Sequence, residues 1–356
     1  MKGLILAGGA GTRLRPITYT SAKQLLPVAN KPVLFYGLED LAAAGITEVG
    51  VVVGDTRAEI MAAVEDGSRW GLHVTYLPQD EPRGLAHCVL IAGGFLGRER
   101  FVMYLGDNLL QHGVGRFVDR FDGAGPPPSA QILLAKVPDP ERFGVAEVSA
   151  GGAVVRLVEK PAVPPSDLAL VGVYLFDHHI HQAVRAIKPS DRGELEITDA
   201  IQWLIDHGHR VRHEVIDGFW IDTGKMDLLL EGNRLVMDAI EPRMEGSVDL
   251  RSRIHGRVVV QAGAQIIDST VRGPAIIGER TRVVGSYVGP YTSVYFDCEI
   301  LDSEIEHSIV LEQSRIVGIP RLEGSLIGKG VEVTRSGSRP RATRLVLGDH
   351  SRVDLE

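Results

Sequence analysis

Residues able to hold phosphate come early in the chain. Gly8-Gly9-Ala10-Gly11-Thr12-Arg13 follows the short apolar run Leu4–Ala7. Glycines this dense let backbone N–H groups approach an anion closely, and the Arg13 guanidinium can fork onto phosphate oxygens. No Gly-Lys-Ser/Thr follows, as a P-loop needs, and Leu14 stands where a dinucleotide fingerprint has its third glycine. The same glycines would also serve a tight strand-to-helix turn. Lys23 lies further on in Ser-Ala-Lys-Gln-Leu-Leu-Pro, a cation before a turn. Asp107 follows the apolar run Phe101–Leu105 after Gly106, and Asp222 follows Trp220-Ile221. Each carboxylate therefore sits at the end of a strand-like run, a place where Asp also commonly caps a turn. Gln79, on the loop after Val74–Leu77, carries an amide that donates and accepts. That matches the O4/N3–H edge of thymine or uracil.

Other chemistries have less support. No Ser-His pair or general base is evident among the twelve histidines. His178-His179 with His181 is the densest cluster, and it reads as a surface helix start. Cys88 and Cys298 are too few and too far apart for a disulfide framework or a zinc site. Lys plus Arg is 38 against 46 Asp plus Glu, a net charge of −8, which argues against charge-driven nucleic-acid binding. No apolar run approaches the ~18 residues of a membrane span, and Leu4–Ala7 is too short for a signal-peptide core. A cytoplasmic, globular protein is expected.

The elements that must position these residues change character near residue 240. Before it, Gly3–Leu6, Val49–Val53, Val74–Leu77, Phe101–Leu105, Gln131–Lys136 and Leu170–Phe176 read as buried strands. Pro32–Ala44, Arg57–Val64 and Leu85–Ala92 have helical spacing. The alternation implies a doubly wound, mixed but mostly parallel α/β sheet, with ligands at the carboxyl ends of its strands. Asp122–Ser129 reads as a surface connection, Met226–Ile240 as a closing amphipathic helix and residues 241–253 as a linker. At 356 residues, and about 150 per domain, roughly two domains are expected.

From Ile254 the chain repeats every 17 residues: Ile254, Val271, Val288, Ile305 and Leu322; Val260, Ile277, Val294 and Leu311; Ile266, Val283, Ile300 and Val317. Ser269, Ser286 and Ser303 keep the same step. Successive apolar positions fall 6, 6 and 5 apart, too far for a helix. Three short edges per coil describe a triangular parallel β-helix over 254–356. The match between Ile327-Gly328 and Val288-Gly289 predicts five inserted residues between His307 and Ser325.

Leu4 to Leu14 with Lys23-Gln24-Leu25-Leu26-Pro27 resembles the signature of sugar-nucleotide pyrophosphorylases, a nucleotidyltransferase family. The likeness continues through Leu105-Gly106-Asp107-Asn108, Glu159-Lys160-Pro161, Arg192 to Asp199 and Trp220 to Gly224, in the family's order. The repeat region is similar to the left-handed β-helix of the family's long forms, built of hexapeptide-like repeats. The resemblance implies domains at 1–240 and 254–356, and Mg²⁺-dependent transfer from dTTP to glucose 1-phosphate, giving dTDP-glucose and pyrophosphate for deoxysugar synthesis. UTP-dependent uridylyl transfer and a non-catalytic regulatory homologue are the alternatives.

By the same resemblance Arg13 and Lys23 hold the triphosphate, Lys160 holds the sugar phosphate, and Asp107 and Asp222 hold Mg²⁺. Leu6, Gly8, Gly9, Gly11, Thr12, Gln79 and Gly84 join Arg13 and Asp107 around the nucleotide. Asn108, Gly144, Glu159, Gly172 and Thr198 join Lys160 around the sugar phosphate, with Gly172 leaving bare backbone for the hexose. Phe143 stands where many relatives have Tyr, which removes any hydroxyl contact there. The β-helix is expected to be a homo-oligomer scaffold, so that a chain ending near Ile240 keeps activity. His255, His307 and His350 show no second constellation for acyl transfer.

Overall fold

The computed structural model describes residues 1–123, 127–335 and 349–353. The chain divides into two compact units, one of residues 1–10, 21–25 and 33–222, the other of residues 11–20, 26–32 and 223–356. In chain order the elements up to the repeats are β1 (Lys2–Ala7), β2 (Pro27–Val28), β3 (Lys31–Pro32), α1 (Val33–Ala43), β4 (Glu48–Val53), α2 (Arg57–Val64), β5 (His73–Pro78), α3 (Leu85–Ile91) and α4 (Gly93–Leu96). There follow β6 (Phe101–Leu105), β7 (Asn108–Leu110), α5 (Gly115–Asp122), β8 (Ala130–Lys136), β9 (Gly144–Val148), β10 (Val154–Glu159) and β11 (Leu168–Phe176). The last are α6 (Ile180–Ala186), α7 (Ile197–Asp206), β12 (Val211–Val215), β13 (Trp220–Asp222) and α8 (Met226–Met237).

The first unit is built on one mixed sheet in the order β10-β9-β11-β6-β1-β4-β5, with β8 beside β11 and β12 beside β8. β1 runs parallel to β4 and β6, and β4 to β5. β11 runs antiparallel to β6, β8 and β9. Side-chain alternation explains why both faces are covered. Leu4 and Leu6 of β1 point into one core with Ala86, Val89, Ile180, Val184, Ile201 and Leu204 from α3, α6 and α7. Ile5 and Ala7 point into the other, with Leu34, Leu38, Leu41, Ile60, Val64, Phe117 and Phe121 from α1, α2 and α5. All six expected strands and all three expected helices of this region form, with ends shifted by a few residues. β7, β9, β10, β12 and β13 are additional; β12 is half-buried and β13 pairs with β7. The expected connection 122–129 lies partly outside the described residues.

In the second unit, short parallel strands stack into three sheets, the architecture of a left-handed β-helix. Ile254 pairs with Val271, Val260 with Ile277 and Ile266 with Val283, each one coil away. The serines sit at a buried corner, where a turning backbone leaves an N–H without a ladder partner. Ser269 Oγ accepts from Ser286 N (3.0 Å) and Ser286 Oγ from Ser303 N (3.1 Å). Each hydroxyl donates to a carbonyl two residues back at 2.7 Å. Turns of this tightness need left-handed backbone, supplied at one corner by Asp268, Gly285 and Asp302. Outside, Arg282, Glu299, Arg315 and Glu332 form a ladder of 3.0 Å ion pairs.

Two details of the repeat differ from expectation. Val294 pairs with Val310 and Ile300 with Ile316, so Leu311 and Val317 are each one residue past the stacked position. Ile309-Val310-Leu311 and Ile316-Val317 are apolar throughout, and residue type alone cannot fix which one is stacked. Nor are there five inserted residues. Val310 pairs with Ile327, so Ile327 continues the Val294 row and not the Val288 row. Within the segment read as a linker, Arg243–Met244 and Ser247–Val248 form strands against the first coil. α8 joins this unit: Met237 is buried with Val259 and Ile276. Buried Asn233 accepts from Ala29 N (2.8 Å) and Ser293 Oγ (3.1 Å) and donates to Tyr291 O (3.1 Å).

Candidate active site

Parallel strands β1 and β6 end side by side, which puts Gly106-Asp107 next to the turn leaving β1. Gly106 N donates to Leu6 O at 3.0 Å, and a Cβ at Gly106 would come within 2.9 Å of that oxygen. Leu6 itself is a core side chain, 8% exposed. Asp107 meets the ammonium of Lys23 in a close ion pair. Asn108 Nδ2 donates to its other oxygen at 3.0 Å. Burial raises the Asp107 pKa, but the Lys23 charge and hydrogen bond and the Asn108 amide outweigh it, holding the carboxyl below its ordinary range.

Asp222 reaches the same neighbourhood through a separate pairing. β13 runs antiparallel to β7, with Asp222 opposite Asn108. Trp220 Nε1 donates to Asn108 Oδ1 at 2.6 Å, so both ends of the Asn108 amide are engaged in positioning. A Cβ at Gly172 would lie 2.4 Å from Asn108 Oδ1. The bare backbone at Gly172 therefore makes room for Asn108. Phe143 packs edge-on against Trp220 with centroids 5.3 Å apart, which gives the phenyl ring a partner without a hydroxyl.

A second cluster forms where β9 begins and β10 ends. Glu159 is paired with Gly144, and Thr198 Oγ1 donates to Glu159 Oε2 at 3.3 Å. A Cβ at Gly144 would strike Thr198 Cγ2 at 2.7 Å. Lys160 Nζ lies 3.5 Å from Glu159 on a left-handed backbone, with its side chain 44% exposed. Arg192 bridges Glu159, Glu194 and Glu196 at 3.3, 2.9 and 3.5 Å. Arg192 opens one of the family-like motifs but carried no site role in the sequence, where the acidic residues spaced around it were the available signal. Burial raises the Glu196 and Asp199 pKa values.

Gln79 lines an open cleft of about 320 Å³ with Gly54, Asp55, Arg57 and Asp80. Its amide nitrogen lies 3.2 Å from His87 Nδ1 and 3.4 Å from Cys88 Sγ. Gly84, at φ +95, lies so close to Leu195 that a Cβ would meet its carbonyl oxygen at 2.5 Å. Gln24 is buried beside Gly9, and its Oε1 has no hydrogen-bond partner among the described residues. In the second unit, Gly11 takes a left-handed turn (φ 63) into the 3-10 turn Thr12–Leu14, where Thr12 and Arg13 are exposed.

The histidine cluster is separate. Asp177, His178 and His179 bring potential ligand atoms within 4.8 Å of one another, but Asp177 is already hydrogen-bonded to His179 Nδ1 at 2.8 Å. Among the described residues no helix is long and apolar enough to cross a membrane. Both cysteines are buried and free.

A doubly wound sheet with a glycine turn and a Lys–Asp pair at its strand ends is an α/β fold of the kind that binds ligands at those ends. Residues 2–239 match the Nucleotidyl transferase family, and the chain belongs to that family. Over its whole length it is 60% identical to the glucose-1-phosphate thymidylyltransferase of Streptomyces griseus, of which it covers 99%. It is 57% identical to the enzyme of the same name from Streptomyces antibioticus, again at full coverage of both. A Bacillus anthracis protein, provisionally assigned the same activity and solved in complex with a sucrose, superimposes with TM-score 0.63 at 35% identity. That match spans 68% of this chain and 98% of the other.

Proposed function

We propose that the chain transfers a thymidylyl group from dTTP to glucose 1-phosphate, releasing pyrophosphate and dTDP-glucose for deoxysugar synthesis. The observation that supports it is the Lys23–Asp107 pair, with Asp222 opposite the adjoining Asn108 in the β13–β7 pairing. The attacking phosphate monoester is already anionic at neutral pH, its second pKa being about 6. The site therefore needs charge neutralisation and in-line positioning and no proton acceptor. Lys23 and Arg13 hold the triphosphate and offset the charge that grows on the departing pyrophosphate. Lys160 holds the sugar phosphate, with Glu159 and Thr198 on the hexose. Backbone from Gly8 to Thr12 and at Gly84 lies along the nucleotide, and Gln79 reads its base.

Asp107, kept ionised, and Asp222 supply the hard oxygen donors that Mg²⁺ takes. When bound, the ion supplies further neutralisation of phosphate charge. The reading extends to domains at 1–240 and 254–356, to homo-oligomer assembly through the coil faces, and to a cytoplasmic setting, for which the two free buried cysteines speak. Uridylyl transfer is the second reading, because the edge facing Gln79 is common to thymine and uracil.

Pyrophosphate release across a panel of nucleoside triphosphates and sugar 1-phosphates tests the proposal. The highest kcat/KM is expected for dTTP with glucose 1-phosphate. Preference for UTP would favour the second reading, and no release with any pair would mean a non-catalytic homologue.

A further inference from the structure

We infer that His87 fixes the orientation of the Gln79 amide, so that Gln79 presents a carbonyl oxygen and selects bases bearing N3–H over cytosine. This rests on the reading of Gln79 as the base-reading residue. An amide nitrogen only donates, so His87 Nδ1, 3.2 Å from Gln79 Nε2, must accept and carry its ring proton on Nε2. Cys88 occupies the other amide hydrogen at 3.4 Å, its own thiol directed to Gly84 O at 3.7 Å. Both atoms stay in accepting form at neutral pH. Burial and the Arg83 charge push His87 below its ordinary 6.5, against a smaller opposing effect of Glu81. Burial also pushes the Cys88 thiol up to about 12.

With both amide hydrogens engaged, Oε1 is the atom left to the base, so of the donating and accepting match to the O4/N3–H edge only the accepting half remains. It lies 3.0 Å from where a Cβ at Gly8 would stand, so the missing side chain keeps that approach clear. An acceptor held there pairs with N3–H of thymine or uracil and opposes the lone pair on N3 of cytosine. Thymine and uracil remain undistinguished. A Gln able to rotate would offer its NH₂ to cytosine instead, and the discrimination would fall.

The test compares kcat/KM for dTTP and dCTP in the full-length protein. His87→Leu removes the acceptor and should narrow the dTTP-over-dCTP ratio roughly 5- to 10-fold, the scale of one hydrogen bond. KM for glucose 1-phosphate should stay put. His87→Asn, whose Oδ1 can stand in for Nδ1, should restore the ratio, with circular dichroism confirming folding of each variant. In a Gln79→Ala background His87→Leu should change the ratio no further. An unchanged ratio in His87→Leu, or an equal effect without Gln79, overturns the inference while leaving Gln79 in place. If Gln79→Ala itself leaves the dTTP KM and the ratio unaltered, the underlying reading of Gln79 fails, and this inference with it.

Discussion

The coil stack and the candidate active site are both held by hydrogen bonds to buried polar side chains, but those bonds connect the chain differently. In the coils, Ser286 N reaches Ser269 Oγ 17 positions back, and the next corner repeats the bond at the same step. At the site, Trp220 Nε1 reaches Asn108 Oδ1 across 112 positions, and the bond occurs once. A coil therefore depends on many equivalent contacts, each worth stability. The site depends on a few unique ones that place charge. Substitutions in the first should lower the melting temperature and spare turnover, and substitutions in the second should do the reverse.

The largest effect is expected at Asp107. Asp107→Asn removes an anionic oxygen while keeping shape, and turnover should fall about 10²–10³-fold, as when one preorganised charge-stabilising group is lost. Steady-state kinetics at saturating Mg²⁺ would show it, and near-normal turnover would take Asp107 out of the site. Its depressed pKa has a consequence in acid. A carboxyl held below its unfolded value of 3.8 contributes stability that is complete above that value. The contribution disappears as pH falls from there through the lower folded value. Acid unfolding of Asp107→Asn should lack this component.

Within the coils, Ile300 is fully buried between Val283 and Ile316 in the stack. Ile300→Ala should cost about 2–5 kcal/mol in urea unfolding through the cavity it leaves. Ser286→Ala strands the N–H of Ser303 and should cost about 1–3 kcal/mol. Glu299→Gln, on the exposed ion ladder, should cost under about 1 kcal/mol and less still at high salt. If kcat fell with stability in this series at temperatures where all variants stay folded, the division of labour would be wrong.

The same contrast governs how far the sequence could be read. Seventeen-residue spacing made the coils legible, because periodic order leaves a periodic trace, and the serines kept the step although their corner role did not show. The reading failed at Val310 and Ile316, where adjacent apolar residues erase the choice of stacked position, at Ile327, which continues the Val294 row with no insertion, and at 243–248, where a mostly polar stretch pairs with the first coil. The motifs marked Lys23, Asp107 and Asp222, but no spacing could reveal that β13 pairs with β7, or that Gly172 makes room for Asn108. His87 carries no signal in sequence, since its role exists only through the Gln79 amide. Asn233 and Met237 bear on the expected Ile240 boundary. Their coil partners Val259, Ile276, Tyr291 and Ser293 would be missing from a shortened chain, so point variants probe the coils more cleanly than truncation.

The central claim is that this site works by holding charge and not by moving a proton. The pH dependence of kcat at saturating dTTP, Mg²⁺ and glucose 1-phosphate tests it most directly. Above the second pKa of the sugar phosphate, about 6, kcat should be level to roughly pH 9, with only the low-pH limb following the substrate's own titration. A rising limb near pH 7–8 that disappears when a single histidine is replaced would mean that the protein supplies a general base, and would contradict the claim.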